Sequence, residues 1–414
     1  MTDCGIGRGT RAPARRTRIV RHVAIVAAAL ATAACKNEYT GLTRGGGGGG
    51  GGGGGTPVQW QQVSAGQKQT CALTAGGASY CWGTNDFGEI GDGTTLLARH
   101  TPVLVTGGHL FVSLAAGASH SCGMTSDGAA FCWGLNLSGQ LGDGTTSNRS
   151  VPAAVTGGLA FASLSAGAIF TCGVTTAQAA YCWGDNSTGE LGVGDTTRRS
   201  QPVLVGSFRA LVFASVSAGD WPAAYHACGL TPAGAAYCWG DNALGELGVG
   251  DTIQRTTPAA VGGFLTFASV STGGMHNCGL TSAGAAYCWG GNSFGQLGVG
   301  DTTRRLTPVL VPGSLVFRSL SAGGDYTCGL VSTGAAYCWG NNVVGQLGVG
   351  DTVGRLTPVA VMGGHQFSSL NAGLEHACGI TVDDALFCWG RGLEGQLGDG
   401  LTTNRSQPVA VRNP

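Results

Sequence analysis

Charge is what this sequence has least of: Asp, Glu, Lys and Arg together make up 11% of its 414 residues, and the formal net charge is zero. Residues 1–34 hold six Arg and one Asp, so the rest carries 16 basic and 21 acidic residues, about −5. Without a basic excess there is no electrostatic footprint for nucleic acid or an anionic membrane surface. Low charge beside 43% hydrophobic residues also excludes a disordered chain, which needs the reverse balance. Long apolar runs are missing. The stretch Val23–Ala34 is 12 residues, too short for a membrane-spanning helix. Also missing are a nucleophile elbow, a Walker loop and a His-Glu-x-x-His pair. The adjacent carboxylates Asp383 and Asp384 fall where a turn is expected. The reading is therefore of a non-enzyme, with no catalytic residue, no metal and no cofactor.

What the chain has in quantity is glycine (77) and cysteine (16). Fourteen of the cysteines form seven copies of one pattern: a Cys, nine residues, then Cys-Trp-Gly. The pairs are Cys71 and Cys81, Cys122 and Cys132, Cys172 and Cys182, Cys228 and Cys238, Cys278 and Cys288, Cys328 and Cys338, and Cys378 and Cys388. The first cysteines are spaced by 51, 50, 56, 50, 50 and 50 residues. A period near fifty, repeated seven times, marks a repeat architecture.

Ahead of the repeats, Arg11, Arg15, Arg16, Arg18 and Arg21 precede the apolar run, as in a secretory leader. Its end, Leu30-Ala31-Thr32-Ala33-Ala34-Cys35, resembles a bacterial lipobox, which implies lipidation of Cys35. Thr32 departs from that pattern, and cleavage at Ala31-Thr32-Ala33 is the alternative. The expected product is exported, either as a lipoprotein of the bacterial envelope or as a secreted protein. Its contact with a membrane would be through the N-terminal lipid alone. Residues 35–56 include eleven consecutive glycines, Gly45–Gly55, and read as a flexible linker. The repeats fill 57–414.

Each repeat reads as four short strands. In the unit Phe267–Val311, the first strand opens at Phe267 and Thr272-Gly273-Gly274 breaks it. Asn277–Thr281 and Ala285–Trp289 are the second and third strands, joined by the turn Ser282-Ala283-Gly284. A long loop leads to Pro308–Val311, with Pro at the strand start. Four strands in fifty residues, seven times, predict an all-β, seven-bladed β-propeller of four-stranded antiparallel blades. If each Pro strand joins the sheet of the following unit, residues 408–411 complete the first blade and close the ring. A monomer is expected.

Gly-x-x-x-His-x-Cys-Gly-Leu-Thr, Cys-Trp-Gly-x-Asn and Gly-Gln-Leu-Gly together resemble the regulator of chromosome condensation repeat, over roughly residues 57–414. The resemblance implies a seven-bladed propeller. The family's founding nuclear protein is a guanine-nucleotide exchange factor, a role the repeat itself does not carry.

Within each hairpin the two cysteines are placed symmetrically about the turn, as directly opposed cross-strand residues. Such pairs lie about 4.5–5.5 Å apart at Cα, within disulfide range. Seven intra-blade disulfides are predicted, with buried thiols or zinc ligation as the alternatives. The Trp after each second Cys is assigned to packing between blades. His120, His226, His276 and His376, replaced elsewhere by Gln69, Phe170 and Tyr326, are assigned to loop hydrogen bonds rather than metal. A recurring Arg, Arg99 to Arg405, and a recurring Asp, Asp92 to Asp399, are assigned to loop-bracing ion pairs, with calcium as the alternative.

The fourth unit breaks the symmetry with Asp220-Trp221-Pro222-Ala223-Ala224-Tyr225. Trp221 and Tyr225, with Phe170, Tyr326 and Met275 in the matching loops, are predicted to form an aromatic rim that binds a partner. The function expected is a displayed binding propeller that engages a protein or glycan of unknown identity through its loop face. A secreted enzyme inhibitor, similar in architecture to the propeller-type β-lactamase inhibitory protein, is the alternative. An exchange factor is the third.

Overall fold

A computed structural model describes residues 58–206, 211–219 and 225–414. The predicted leader, Cys35, the glycine linker and Trp221 lie outside the described residues. Within them are 28 strands and no helix, in seven four-stranded antiparallel sheets. In the first blade, β1 (Trp60–Ala65), β2 (Gln69–Thr74), β3 (Ser79–Gly83) and β4 (Arg99–Leu104) lie side by side in chain order. The last blade repeats this with β25 (Phe367–Ala372), β26 (His376–Thr381), β27 (Leu386–Gly390) and β28 (Arg405–Ala410).

The outermost strands begin earlier than their prolines. Pro308, for instance, is the fourth residue of the strand Arg305–Leu310, because Arg305 pairs with Gly290 before a register shift. Proline, lacking a donor, is accommodated there at a bulge on an edge strand. The cysteines do face one another: Cys278 is paired with Cys288 in register, and all seven predicted disulfides are present with Cα separations of 4.1 Å.

The core is not inside the blades but between them. Phe267 and Trp289 of the fifth blade pack on Leu230, Leu247 and the Cys228–Cys238 bridge of the fourth. The Phe267 and Trp289 rings lie 5.9 Å apart. Gly279 makes room for Phe267, since a Cβ there would come within 2.5 Å of the ring. The Trp after each second Cys is fully buried, and its indole nitrogen seeks a partner. Six of the seven donate to the backbone carbonyl of the Gln or Glu in the preceding blade's Gly-Gln-Leu-Gly loop, as Trp339 does to Gln296 at 2.9 Å. The glycine that closes this motif lies against the same indole. Gly298, at φ +71°, would place a Cβ 2.6 Å from Trp339 Nε1.

The recurring histidines belong to these joints and not to loops. Each is the fully buried first residue of a second strand and reaches across to the next blade. Thr327 Oγ1 lies 2.7 Å from His276 Nε2 and donates its one hydrogen to the Gln296 carbonyl at 2.9 Å. The imidazole must therefore donate from Nε2, leaving Nδ1 as a bare acceptor. His120 with Thr171 and His376 with Thr70 repeat the arrangement, and His226 meets Asn277. Where the inner residue is Phe or Tyr the partner is alanine. Phe170 is followed across the joint by Ala227, and Tyr326, whose hydroxyl donates to the His376 carbonyl at 2.6 Å, by Ala377. Burial drives His120 down to about 4, His276 to about 3 and His376 to about 4, so all three are neutral in the folded protein.

A second belt of hydrogen bonds lines the central channel. Ser64 accepts the Ala116 N–H at 2.9 Å, Ser271 that of Ala322 at 2.9 Å, and Asn371 that of Ala65 at 2.7 Å. Ser165, Ser217 and Ser321 do the same, whereas Ala115 offers no oxygen at the joint between blades two and three.

Ring closure differs from the expectation. β28 pairs with β27 and not with the first blade. The last and first blades meet through the same joint as every other pair. Trp60 and Trp82 pack on Ile380, Leu397 and the Cys378–Cys388 bridge, Trp82 donates to the Gln396 carbonyl, and Thr70 meets His376. A strand exchange is unnecessary because the side-chain joint suffices at six other places.

Thr327→Ala is expected to cost about 1–3 kcal/mol by stranding the His276 donor. His276→Phe together with Thr327→Ala should recover most of that loss, since it rebuilds the Phe170–Ala227 joint. Denaturant unfolding of the two single variants and the pair checks this, and strictly additive losses would contradict it. Ala115→Ser should add about 1 kcal/mol by supplying the missing acceptor at its joint.

Candidate functional site

Antiparallel order puts the turns between first and second strands on the same face as the long loops between third and fourth strands. The hairpin turns and blade connectors lie on the other face. The long loops are rigid. Asn242 Nδ2 donates to the Asp251 and Ile253 carbonyls at 3.0 and 3.1 Å, while its Oδ1 accepts the Leu247 N–H at 2.9 Å. Asp251 is paired with Arg255 at 2.7 Å, and all seven Asp–Arg pairs form. The Arg305 and Arg355 hydrogen bonds hold Asp301 and Asp351 below the usual carboxylate range. Gly392 replaces the Asn in the last blade, where Asn404 accepts its N–H at 3.1 Å. Among the described residues, no group of three or more His, Cys, Asp or Glu is placed to hold a metal ion.

On this braced face, the turns between first and second strands carry one equivalent position per blade, a ring of Lys68, Ser119, Ile169, Tyr225, Met275, Asp325 and Glu375, the last three directly after turn residues that line the central channel. They are structurally equivalent. The carbonyl of each accepts the N–H that follows Cys-Trp-Gly, as Tyr225 does from Asp241 at 2.8 Å and Glu375 from Arg391 at 2.9 Å. The channel inside them has a volume of about 270 Å³. The side chains differ in every blade, in contrast to the joints beneath.

The predicted rim is partly redrawn. Tyr225 and Met275 are half-buried members of the ring. Phe170 and Tyr326 are not on it: both are fully buried joint residues, one position further along the chain. A residue two places before the first Cys begins the second strand, which is covered on both faces by neighbouring blades. Trp221 lies outside the described residues.

The sequence reading missed the carboxyls of this face. Glu89, Glu190 and Glu246 occupy the Gln of the Gly-Gln-Leu-Gly motif and are buried. Each accepts a backbone N–H with one oxygen, as Glu246 does from Leu244 at 2.8 Å, and buries the other without a partner. Burial pushes Glu89 up to about 6 and Glu190 and Glu246 to about 7. Around them, Tyr225 is raised by its own burial and by Asp185 and Glu190. Asp185 is paired with Arg198 at 2.6 Å. Across the ring, Arg391 is gripped by Glu394 at 2.8 Å and Glu375 at 3.1 Å. Among the described residues, Asp325 has no such cation. Its signal in the sequence was only an acidic residue at a position that varies from unit to unit.

The profile described as Regulator of chromosome condensation (RCC1) repeat matches residues 77–124, 127–174, 179–224, 233–280, 283–330, 333–380 and 383–414. The probable E3 ubiquitin-protein ligase HERC4 of Homo sapiens is 39% identical over 87 residues, which is 20% of this chain and 8% of that protein. The chain thus spans under a tenth of the length of that relative. Human WBSCR16 superposes with a TM-score of 0.74 at 22% identity, over 81% of this chain and 94% of that one. The ectodomain of the receptor kinase CR4 from Physcomitrella patens aligns at 26% identity with a TM-score of 0.51, over 81% and 74%.

The buried glutamates predict a pH dependence of stability. Their folded-state pKa values are raised, so their neutral forms are favoured in the fold. No penalty applies below the unfolded value near 4.5, and the penalty grows as pH rises through about 7. Glu190→Gln with Glu246→Gln, the residue found in four other blades, should raise the melting temperature by several degrees at pH 8. At pH 4.5 the two proteins should melt together. Equal melting at both pH values would contradict the assignment.

Proposed function

The chain belongs to the regulator of chromosome condensation (RCC1) repeat family, and we propose that it is a non-catalytic binding propeller, exported from the cell, that engages a protein or glycan through its loop face. One contrast carries this reading. The joints that build the ring repeat with small variations, while the ring at the channel mouth carries Lys68, Ser119, Ile169, Tyr225, Met275, Asp325 and Glu375 on equivalent backbone positions. The backbone of these positions makes the structural hydrogen bonds, which leaves their side chains available to a partner. Binding residues are placed on loops held by a rigid frame.

Export is supported by the seven disulfides, which persist in oxidising compartments. The similarity to a receptor kinase ectodomain fits the same assignment. The leader and the Cys35 lipid belong to this proposal. The HERC4 match covers too little of that ligase to bring its activity here.

Tyr225→Ala with Met275→Ala should abolish capture of the partner recovered from surface extracts, with the melting temperature within a few degrees of the parent. Full retention of capture would remove the loop face from the account. Mass spectrometry of the exported protein without reduction should find no free thiol between residues 57 and 414.

A further inference from the structure

We propose that the loop face seats a basic segment of its partner, with Asp325 receiving an arginine or lysine side chain at the channel mouth. This rests on the binding role proposed above.

Asp325 is 8% exposed, and its Oδ1 is buried without a hydrogen-bond partner. A buried carboxylate lacking a cation or donors is costly, and an unsatisfied buried group of this kind calls for a partner or a functional explanation. The fold does not need this side chain. The backbone of Asp325 does the structural work, its carbonyl accepting the Asn341 N–H at 2.9 Å, as at every equivalent position. Ser119, Ile169 and Met275 serve equally well in other blades.

The surroundings select a cation. Burial raises the Asp325 carboxyl to about 6, and Glu375, on the equivalent position of the next blade, adds to the rise with a second negative charge. The Arg391 guanidinium is engaged by Glu394 and Glu375 and makes no ion pair with Asp325. The loops that carry the two carboxyls also line the channel, through Gly323, Gly324, Gly373 and Leu374. A long side chain directed at the channel from this face therefore meets the turns that carry both carboxyls. A guanidinium or ammonium group supplies both charge and donors. A neutral glycan supplies donors only and leaves the Asp325 carboxylate unneutralised.

The test is a titration of the full chain with a fluorescein-labelled oligo-arginine peptide at low salt, read by anisotropy, beside an oligo-glutamate control. The wild type should bind oligo-arginine only. Asp325→Asn should weaken binding by at least about tenfold, as loss of one partner of a desolvated charge pair does. Asp127→Asn, on the opposite face, should bind as the wild type does. Asp325→Asn should also melt at the same or a higher temperature, which separates binding from folding. Equal affinity of wild type and Asp325→Asn, or no oligo-arginine binding, overturns the proposal. If the peptide fails while capture remains sensitive to Tyr225 and Met275, only the cation site falls. If capture ignores those residues, the loop-face reading falls with it.

Discussion

The structure depends on one joint, repeated around the ring. A tryptophan indole crosses from each blade to the loop of the preceding one, beside a phenylalanine that covers that blade's disulfide. No blade has a core of its own. A four-stranded sheet buries its faces only against its neighbours, so the apolar free energy of folding is collected between units. This explains why the second strand is buried and why a glycine follows its Cys in six of the seven blades, where a Cβ would meet the ring of the first strand. It also explains why polar joint residues change in pairs. A buried histidine donor obliges the next blade to supply an oxygen, and a phenylalanine releases it from that obligation. Ring closure needs no further device, since the last joint is made like the others.

This division of labour separates scaffold from function. Joint residues are fixed by what faces them across a dry interface. The residues at the channel mouth are fixed by backbone alone, so their side chains are free to vary. The seven Asp–Arg pairs and the loop asparagines hold the frame on which this variation is displayed. Buried carboxyls in that frame mark places where the chain departs from its own consensus at a cost in stability.

Much of this was legible in the residues. The disulfides followed from arithmetic, because cysteines equidistant from a turn must face one another. The blade count and strand count followed from the period. Closure did not, because a chain with strand exchange and one without contain the same seven sets of elements. Nor did the inner aromatics: Phe170 and Tyr326 lie on a strand buried on both faces, where no alternation marks which side chain meets solvent. The start of the fourth strand was hidden because Arg305 pairs across a bulge that proline conceals. Asp325 was visible as a difference between units, but only packing shows that its carboxyl is buried and alone.

The central claim is that seven equivalent side-chain joints, and no exchanged strand, hold the ring closed. A circular permutant tests it most directly. New termini would be placed in the connector at residues 262–266, and residue 414 joined to residue 58 by a short flexible linker. The account predicts a folded propeller melting within a few degrees of the parent, because the new gap falls at a joint no different from the old one. A permutant that fails to fold, or that melts far lower, would show that the native joint between last and first blades is special, and would contradict it.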